Sequence, residues 1–435
     1  MFDERDLAPN GPVTLEAWHG APALSYPNRP GSILDVLDWG VRRNPHTVLF
    51  VDTNGAKTTY ARFTSLVEAT AVWLREQGVR PGDAIAVAAV NSTPLAALIF
   101  AAARIGAVTL ALPARLDAEA WGYMLTDAPC TFTVADVPRL APLREAAHSA
   151  GVQRPVELRA VAGGGDAWDY DPVTQCPPQD ATYGIAYTAG TTGRSKATQL
   201  VHRSSVHAAI AYQRMLQLQP LERTLVAFPL GQVGALHAHV LPAMLAGATC
   251  VLLDTAGPRR FLRALATERI AWACAAPELW RQVSNDPGFS ADALTSLRTI
   301  GLTGAACPVT LSDALHSGVP HVRLLNLYGT AETQGLATML DDHQFAVRGG
   351  AAGRAVPCME VAVRDRDGTD LPAGEIGEVW LRGSLVTIGY AGDPKSSGQA
   401  IIDGWFATGD AGQLDEAGYL WLRDQTDCRD LELFA

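Results

Sequence analysis

Ten residues, Tyr187-Thr188-Ala189-Gly190-Thr191-Thr192-Gly193-Arg194-Ser195-Lys196, gather three threonines, two glycines, a serine and a lysine. They follow an apolar run, Tyr183-Gly184-Ile185-Ala186, that reads as a strand. Lysine is scarce: Lys57, Lys196 and Lys395 are the only three in the chain. One placed at the end of a Gly/Thr/Ser loop suits polyphosphate, whose oxygens take backbone N–H groups, hydroxyls and an ammonium. Turns collect the same residues for backbone reasons, so an ordinary turn stays open. A Walker-type loop does not: it needs Gly before the Lys and Ser or Thr after it, whereas Ser195 precedes Lys196 and Ala197 follows.

Further segments hold residues suited to the same chemistry. In Asn326-Leu327-Tyr328-Gly329-Thr330-Ala331-Glu332-Thr333 the Glu332 carboxylate can hold a hard cation that bridges phosphate oxygens. The alternative is a strand end followed by a capped helix start at Thr330. Thr303-Gly304-Ala305-Ala306, Gly374-Glu375-Ile376-Gly377-Glu378 through Gly389-Tyr390, and Asp403-Gly404-Trp405-Phe406-Ala407-Thr408-Gly409-Asp410 complete the set.

In their order and spacing these segments resemble the adenylate-forming enzymes, the group of acyl-CoA synthetases, adenylation domains and luciferases. The likeness runs from residue 45 to 424, with Ala189, Ser195 and Ala197 where the family loop has Ser, Pro and Gly. It implies ATP-dependent activation of a carboxylic acid to acyl-AMP and pyrophosphate, with Mg²⁺, for transfer to the thiol of CoA or of a carrier protein's phosphopantetheine. By resemblance Lys196, Thr188, Thr191 and Thr192 grip the β and γ phosphates, with Gly193 also cofactor-binding. Glu332 and Thr188 serve the metal, Thr333 reaches the phosphates, and Thr330 is counted among the cofactor-binding residues. Tyr328 stacks on adenine beside Asn326 and Gly329, and Gly304, Ala305 and Ala306 cover its other face, where small residues permit close approach. Asp410 accepts the ribose hydroxyls, and the 374–390 segments are mainly architectural.

The likeness also has departures. Gln425 stands where the family has a ribose-contacting Arg, for which Arg423 or Arg429 could substitute. The family's small mobile domain, with its second lysine, would begin where this chain stops at Ala435. We read a chain cut near the hinge, since Leu431 to Ala435 ends without a helix or cap; a naturally short protein is the alternative. For the acid pocket we take Phe228, Gln232, Gly301 and Ala275. No Asp lies near Phe228-Pro229-Leu230-Gly231-Gln232, which argues against an ordinary α-amino acid and for an aryl or acyl carboxylate. Gln232 can hydrogen-bond a substrate but cannot switch charge. The rivals are an adenylation domain for an unusual acid and a catalytically reduced ATP- or acyl-AMP-binding module.

Composition bounds the rest. A net charge of −11 and no Lys/Arg cluster argue against a nucleic-acid surface. Cys130, Cys176, Cys250, Cys274, Cys307, Cys358 and Cys428 form no Cys-x-x-Cys pair and read as buried free thiols. The ten histidines show no metal spacing, and His237 and His239 read as ordinary core or surface residues. The acidic start is no signal peptide. The apolar run Pro94 to Pro113 is split by Arg104 and Gly106 into a buried helix and a strand, so no membrane span is expected and the setting reads as cytoplasmic.

A chain of 435 residues exceeds what one core usually organises. Strand and helix patterns alternate through most of it, implying parallel sheets flanked by helices. The expected fold is α/β: two stacked βα subdomains plus a small distorted β-barrel. We divide it into 1–178, 179–344 with the phosphate loop and adenine site, 345–424 for the β part, and 425–435 as a hinge remnant. Residues 161–180, rich in Gly, Pro and Asp, read as a surface linker.

Overall fold

The computed structural model of the chain describes residues 2–152, 155–158, 177–188, 195–255 and 257–423, with Thr188 described by its backbone alone. Of the expected phosphate grip, Thr191, Thr192, Gly193 and the Thr188 side chain therefore lie outside the described residues, as do most of the 161–180 linker and the hinge segment from Asp424 onward.

The first sheet has six strands in the order Lys196–Val201, Thr182–Thr188, Val108–Ala111, Ala84–Ala88, Phe132–Ala135 and Val156–Glu157. All neighbours are parallel except Lys196–Val201, which turns back antiparallel on Thr182–Thr188. Ala84–Ala88 and Phe132–Ala135 are buried without alternation because helices cover both faces of a parallel sheet. The apolar 94–113 run divides as its sequence implies. Ser92 caps the helix Thr93–Arg104 by accepting from Leu95 N, and Pro94 fits its first turn. Gly106 then takes φ +74°, releasing the chain into Val108–Ala111. Arg104 pairs with Glu68 at 3.0 Å inside the protein. No helix among the described residues is long and apolar enough to cross a membrane.

The second sheet has nine strands: Arg354–Ala355, Thr338–Asp341, Arg323–Tyr328, Thr299–Thr303, Trp272–Ala275, Arg223–Val226, Thr249–Leu252, Val48–Val51 and Lys57–Thr59, antiparallel only at its two ends. Sheet membership cuts across the 178/179 division. Val48–Val51 and Lys57–Thr59 complete the second sheet, while Thr182–Thr188 and Lys196–Val201 complete the first. Between the sheets lie helices Ile33–Arg43, His202–Leu216 and Leu241–Ala246. His202–Leu216 is buried on every face despite its polar sequence, because it is sandwiched there. The third sheet is antiparallel: Met359–Arg364, Gly377–Gly383, Ile401–Ile402, Trp405–Leu414 and Leu420–Leu422. It is the small β part expected beyond residue 345.

In parallel sheets the strands' carboxyl ends leave the crevice where ligands bind. Here Thr182–Thr188, Thr299–Thr303 and Arg323–Tyr328 all run out toward one cleft, and the strand Trp405–Leu414 brings Asp410 to it.

Candidate active site

Two connected hollows, of about 770 Å³ and 370 Å³, share Gly304, Gly329, Thr330 and Asp410. Lys196, Glu332, Phe228 and Gln232 line the larger one, and Ala305, Ala306, Asn326, Tyr328 and Arg423 the smaller. Most of the residues singled out from the sequence thus meet, although they come from three sheets.

At the polar end Lys196 opens its strand, with its ammonium 4.9 Å from the centre of the Tyr390 ring. The Tyr390 hydroxyl donates to Glu332 Oε1 at 3.1 Å. Burial and the neighbouring Glu332 push the phenol far above its ordinary range, so it remains a donor. Among the described residues no cluster of three or more His, Cys, Asp or Glu can hold a metal by itself. A divalent cation here would take Glu332 as a hard oxygen ligand and the rest from phosphate and water, as Mg²⁺ does in phosphoryl-transfer sites.

The smaller hollow is bounded by a glycine turn, a tyrosine and a carboxylate. Gly304, at φ +83° with open space around its missing Cβ, forms the flat turn, and Gly329 is forced because a Cβ there would lie 2.4 Å from Leu336 N. Asn326 is fixed by donating Nδ2–H to Ala351 O at 2.8 Å. Tyr328 donates its hydroxyl to Asp410 Oδ2 at 2.7 Å. Burial raises the Asp410 carboxyl, and the Tyr328 hydrogen bond opposes that rise. Glu378 accepts from Gly409 N at 3.1 Å and so steadies the turn that carries Asp410. Arg423 lines this hollow from an exposed position and donates to Gln413 Oε1 at 3.3 Å. Thr333 lines neither hollow. Fully buried, it accepts from Thr330 N at 3.0 Å and holds Thr330 in place.

The far end of the larger hollow is apolar, bounded by Phe228, Val233, Ala238 and Cys274 with Tyr212. Of the pocket residues named from sequence, Phe228 and Gln232 line it and Ala275 and Gly301 do not. Side chains alternate along the strand Trp272–Ala275, so Trp272 and Cys274 join the inner core while Ala273 and Ala275 join the outer one. Gly301 lies one layer behind the wall: a Cβ there would sit 2.4 Å from the Trp272 ring and 2.8 Å from Cys274 Sγ. Its missing side chain is the space Trp272 occupies. Trp272 is further held by donating Nε1–H to Ala238 O at 2.9 Å.

His237 and His239 lie on a π-helical turn, Leu236–Val240, that carries Ala238 to the hollow. His237 Nε2 meets Tyr183 Oη at 3.0 Å and Ser205 Oγ at 2.9 Å, while His239 stacks on Trp272 and meets the Thr224 hydroxyl. Burial lowers both imidazoles to about 3, so both stay neutral. The five described cysteines are free and buried, as the sequence suggested.

Sequence reading missed Tyr390, Glu378 and Cys274 as members of the cleft. Glu378 and Tyr390 sat in segments read as architecture. Period-2 alternation puts Cys274 and Ala275 on opposite faces of their strand but does not tell which face meets the cleft.

The family model described as "AMP-binding enzyme" matches residues 37–391. The chain is 32% identical over 376 residues to the indoleacetate–CoA ligase of Aromatoleum aromaticum, covering 84% of this chain and 72% of that protein. It is 31% identical over 391 residues to a feruloyl-CoA synthase of an Amycolatopsis species, covering 89% and 78%. Its fold superposes with a TM-score of 0.84 on the inhibitor-bound N-terminal domain of FACL13 from Mycobacterium tuberculosis, at 26% identity over 90% of this chain and 99% of that one.

Proposed function

Because the chain belongs to the AMP-binding enzyme family, we propose that it activates a carboxylate with an uncharged, apolar tail, using Mg-ATP, and passes the acyl group to the thiol of CoA. The observation that carries this reading is the two-ended cleft. Lys196, Glu332 and Asp410 line it together with an apolar group that carries no charge, Phe228, Val233, Ala238 and Cys274.

In the first half-reaction a carboxylate oxygen attacks the α-phosphorus of ATP. The new O–P bond forms as the bond to the bridging oxygen breaks, and pyrophosphate leaves with that electron pair. Asp410 accepts from the ribose hydroxyls, and Tyr328 beside it faces the base. Lys196 holds its positive charge against phosphate oxygens as the departing pyrophosphate gains negative charge, the preorganised stabilisation that such transfers need most. Mg²⁺ bound at Glu332 would add charge neutralisation at the same oxygens. The remaining task of the protein is alignment of two anions that repel in water.

A charged or zwitterionic tail would lose its hydration at the apolar end without a partner, at a cost of several kcal/mol. That favours aryl or acyl acids, in keeping with the aromatic acids that the indoleacetate and feruloyl relatives are named for. The test is acid-dependent ATP–pyrophosphate exchange over a panel of arylacetic, hydroxycinnamic and fatty acids beside α-amino acids and dicarboxylates. Exchange restricted to the apolar acids supports the reading. Nucleotide binding without exchange for any acid supports a binding module instead.

A further inference from the structure

Tyr390 touches both charged groups of the polar end. Its ring faces the Lys196 ammonium at 4.9 Å, and its hydroxyl is on Glu332 Oε1 at 3.1 Å. Backbone register dictates this placement. Tyr390 forms an antiparallel bridge with Thr198, so Lys196, two residues back on the same face, becomes its diagonal neighbour. Gln199 N donates to Gly389 O at 3.0 Å and Ala391 N to Ala197 O at 2.8 Å, locking the pairing. Tyr390 N donates to Ser397 Oγ at 2.9 Å. Gly389 is required there: φ is +127°, and a Cβ would lie 2.6 Å from Ser397 Oγ. The same segment grips the backbone of the carboxylate residue, since Thr387 N donates to Glu332 O at 2.7 Å.

A lysine and a glutamate at one end of a partly buried cleft attract each other strongly. Joined directly, the ammonium would be spent on the carboxylate. Among the described residues the two form no ion pair, and each is instead engaged by Tyr390. Asp393, held below the usual carboxylate range first by its Ser396 hydrogen bonds and only secondarily by the Lys196 charge, is taken up by Ser396 N in capping the helix Pro394–Ala400.

We propose that Tyr390 is a positioning residue that keeps Lys196 and Glu332 apart. The ring holds the ammonium for phosphate, and the hydroxyl holds the carboxylate so that its second oxygen faces a divalent cation. This rests on the reading of the cleft as an Mg-ATP site, and its test uses binding so that the two can fail separately.

The experiment is calorimetry of ADP binding with and without Mg²⁺. Tyr390→Phe keeps the ring and loses the hydroxyl. Its Mg²⁺-free affinity should stay within about twofold of the parent, while the gain in affinity on adding Mg²⁺ falls by about tenfold or more, as for a hydrogen bond to a charged group. Tyr390→Leu loses both contacts, and its Mg²⁺-free affinity should fall by about fivefold, the scale of a partly desolvated cation–π contact. Adding Glu332→Gln to Tyr390→Leu should restore the Mg²⁺-free affinity, because the competing carboxylate is gone. Equal losses in the Phe and Leu variants, or no rescue by Glu332→Gln, would overturn the proposal. If Tyr390→Leu does not fold, the Mg²⁺ response of Tyr390→Phe decides alone. Should the parent show this pattern in binding yet exchange pyrophosphate with no acid, the positioning role stands and the enzymatic reading falls.

Discussion

The two ends of the cleft are built in opposite ways. The polar end collects single charged or aromatic residues, Lys196, Tyr328, Glu332 and Asp410, from loops and strand ends of three sheets. The apolar end is the surface of the core itself: Ala238 sits on a π-helical turn and Cys274 on a central strand, with Trp272 packed behind them. The first kind of site works through charge placed in advance and tolerates change in the surrounding core. The second is shape, and any change to it is also a change in stability.

That contrast can be broken or sharpened in four ways. The largest expected effect is on the stability of the apolar end in acid. His237 and His239 are held neutral, lowered from 6.5 to about 3. Below pH 6.5 the unfolded chain takes up protons that the folded one refuses, so stability is full above that pH and drains away as pH falls toward 3. Each histidine should cost about 2 kcal/mol at pH 5 relative to neutrality. Denaturant melts at the two pH values check this; equal midpoints would contradict it.

Next comes the polar end. Lys196→Ala should lower pyrophosphate formation by on the order of 10²-fold, as for loss of one preorganised electrostatic group, with an unchanged melting temperature. A large loss of stability would mean the two ends are not separable.

Gly301→Ala should do the reverse. The added methyl meets the Trp272 ring and Cys274 Sγ, and the far side offers no retreat because Trp280 Nε1 donates to Gly301 O at 2.9 Å. Overpacking of this kind costs about 1–3 kcal/mol. The melting temperature should fall, and bulky acids should lose more activity than small ones. A uniform loss over all acids would break the link between Gly301, Trp272 and pocket depth.

The smallest effect is Asp410→Asn, which should raise the KM for ATP by about tenfold through weakened acceptance from the ribose. The acid KM should be unaffected; a matching rise there would show that the ends communicate.

Legibility in the sequence follows the same divide. That Asp410, Tyr328, Gly304 and Glu332 belong together was legible through the order of motifs that resemble the family, and the fold brings them to one cleft or to the hollow beside it. The α/β class was readable from unalternating strands such as Ala84–Ala88. Ala275 and Cys274 were not distinguishable as small apolar neighbours; only the facing of their strand tells which one lines the cleft. The same blindness hid the exchange of strands between the first two sheets, which is settled by pairings distant in sequence, Phe50 with Cys250 and Thr109 with Gly184. Tyr390 was legible as a residue but its role was not, since that depends on a bridge to Thr198.

The central claim is that one cleft joins an ATP-gripping end to an apolar acid pocket. Acid-dependent ATP–pyrophosphate exchange, run on the parent and Lys196→Ala with the same apolar acids, tests it most directly. The account predicts exchange in the parent that requires the acid and nearly vanishes in the variant. Exchange of equal rate in both, or in neither while nucleotide still binds, would contradict it.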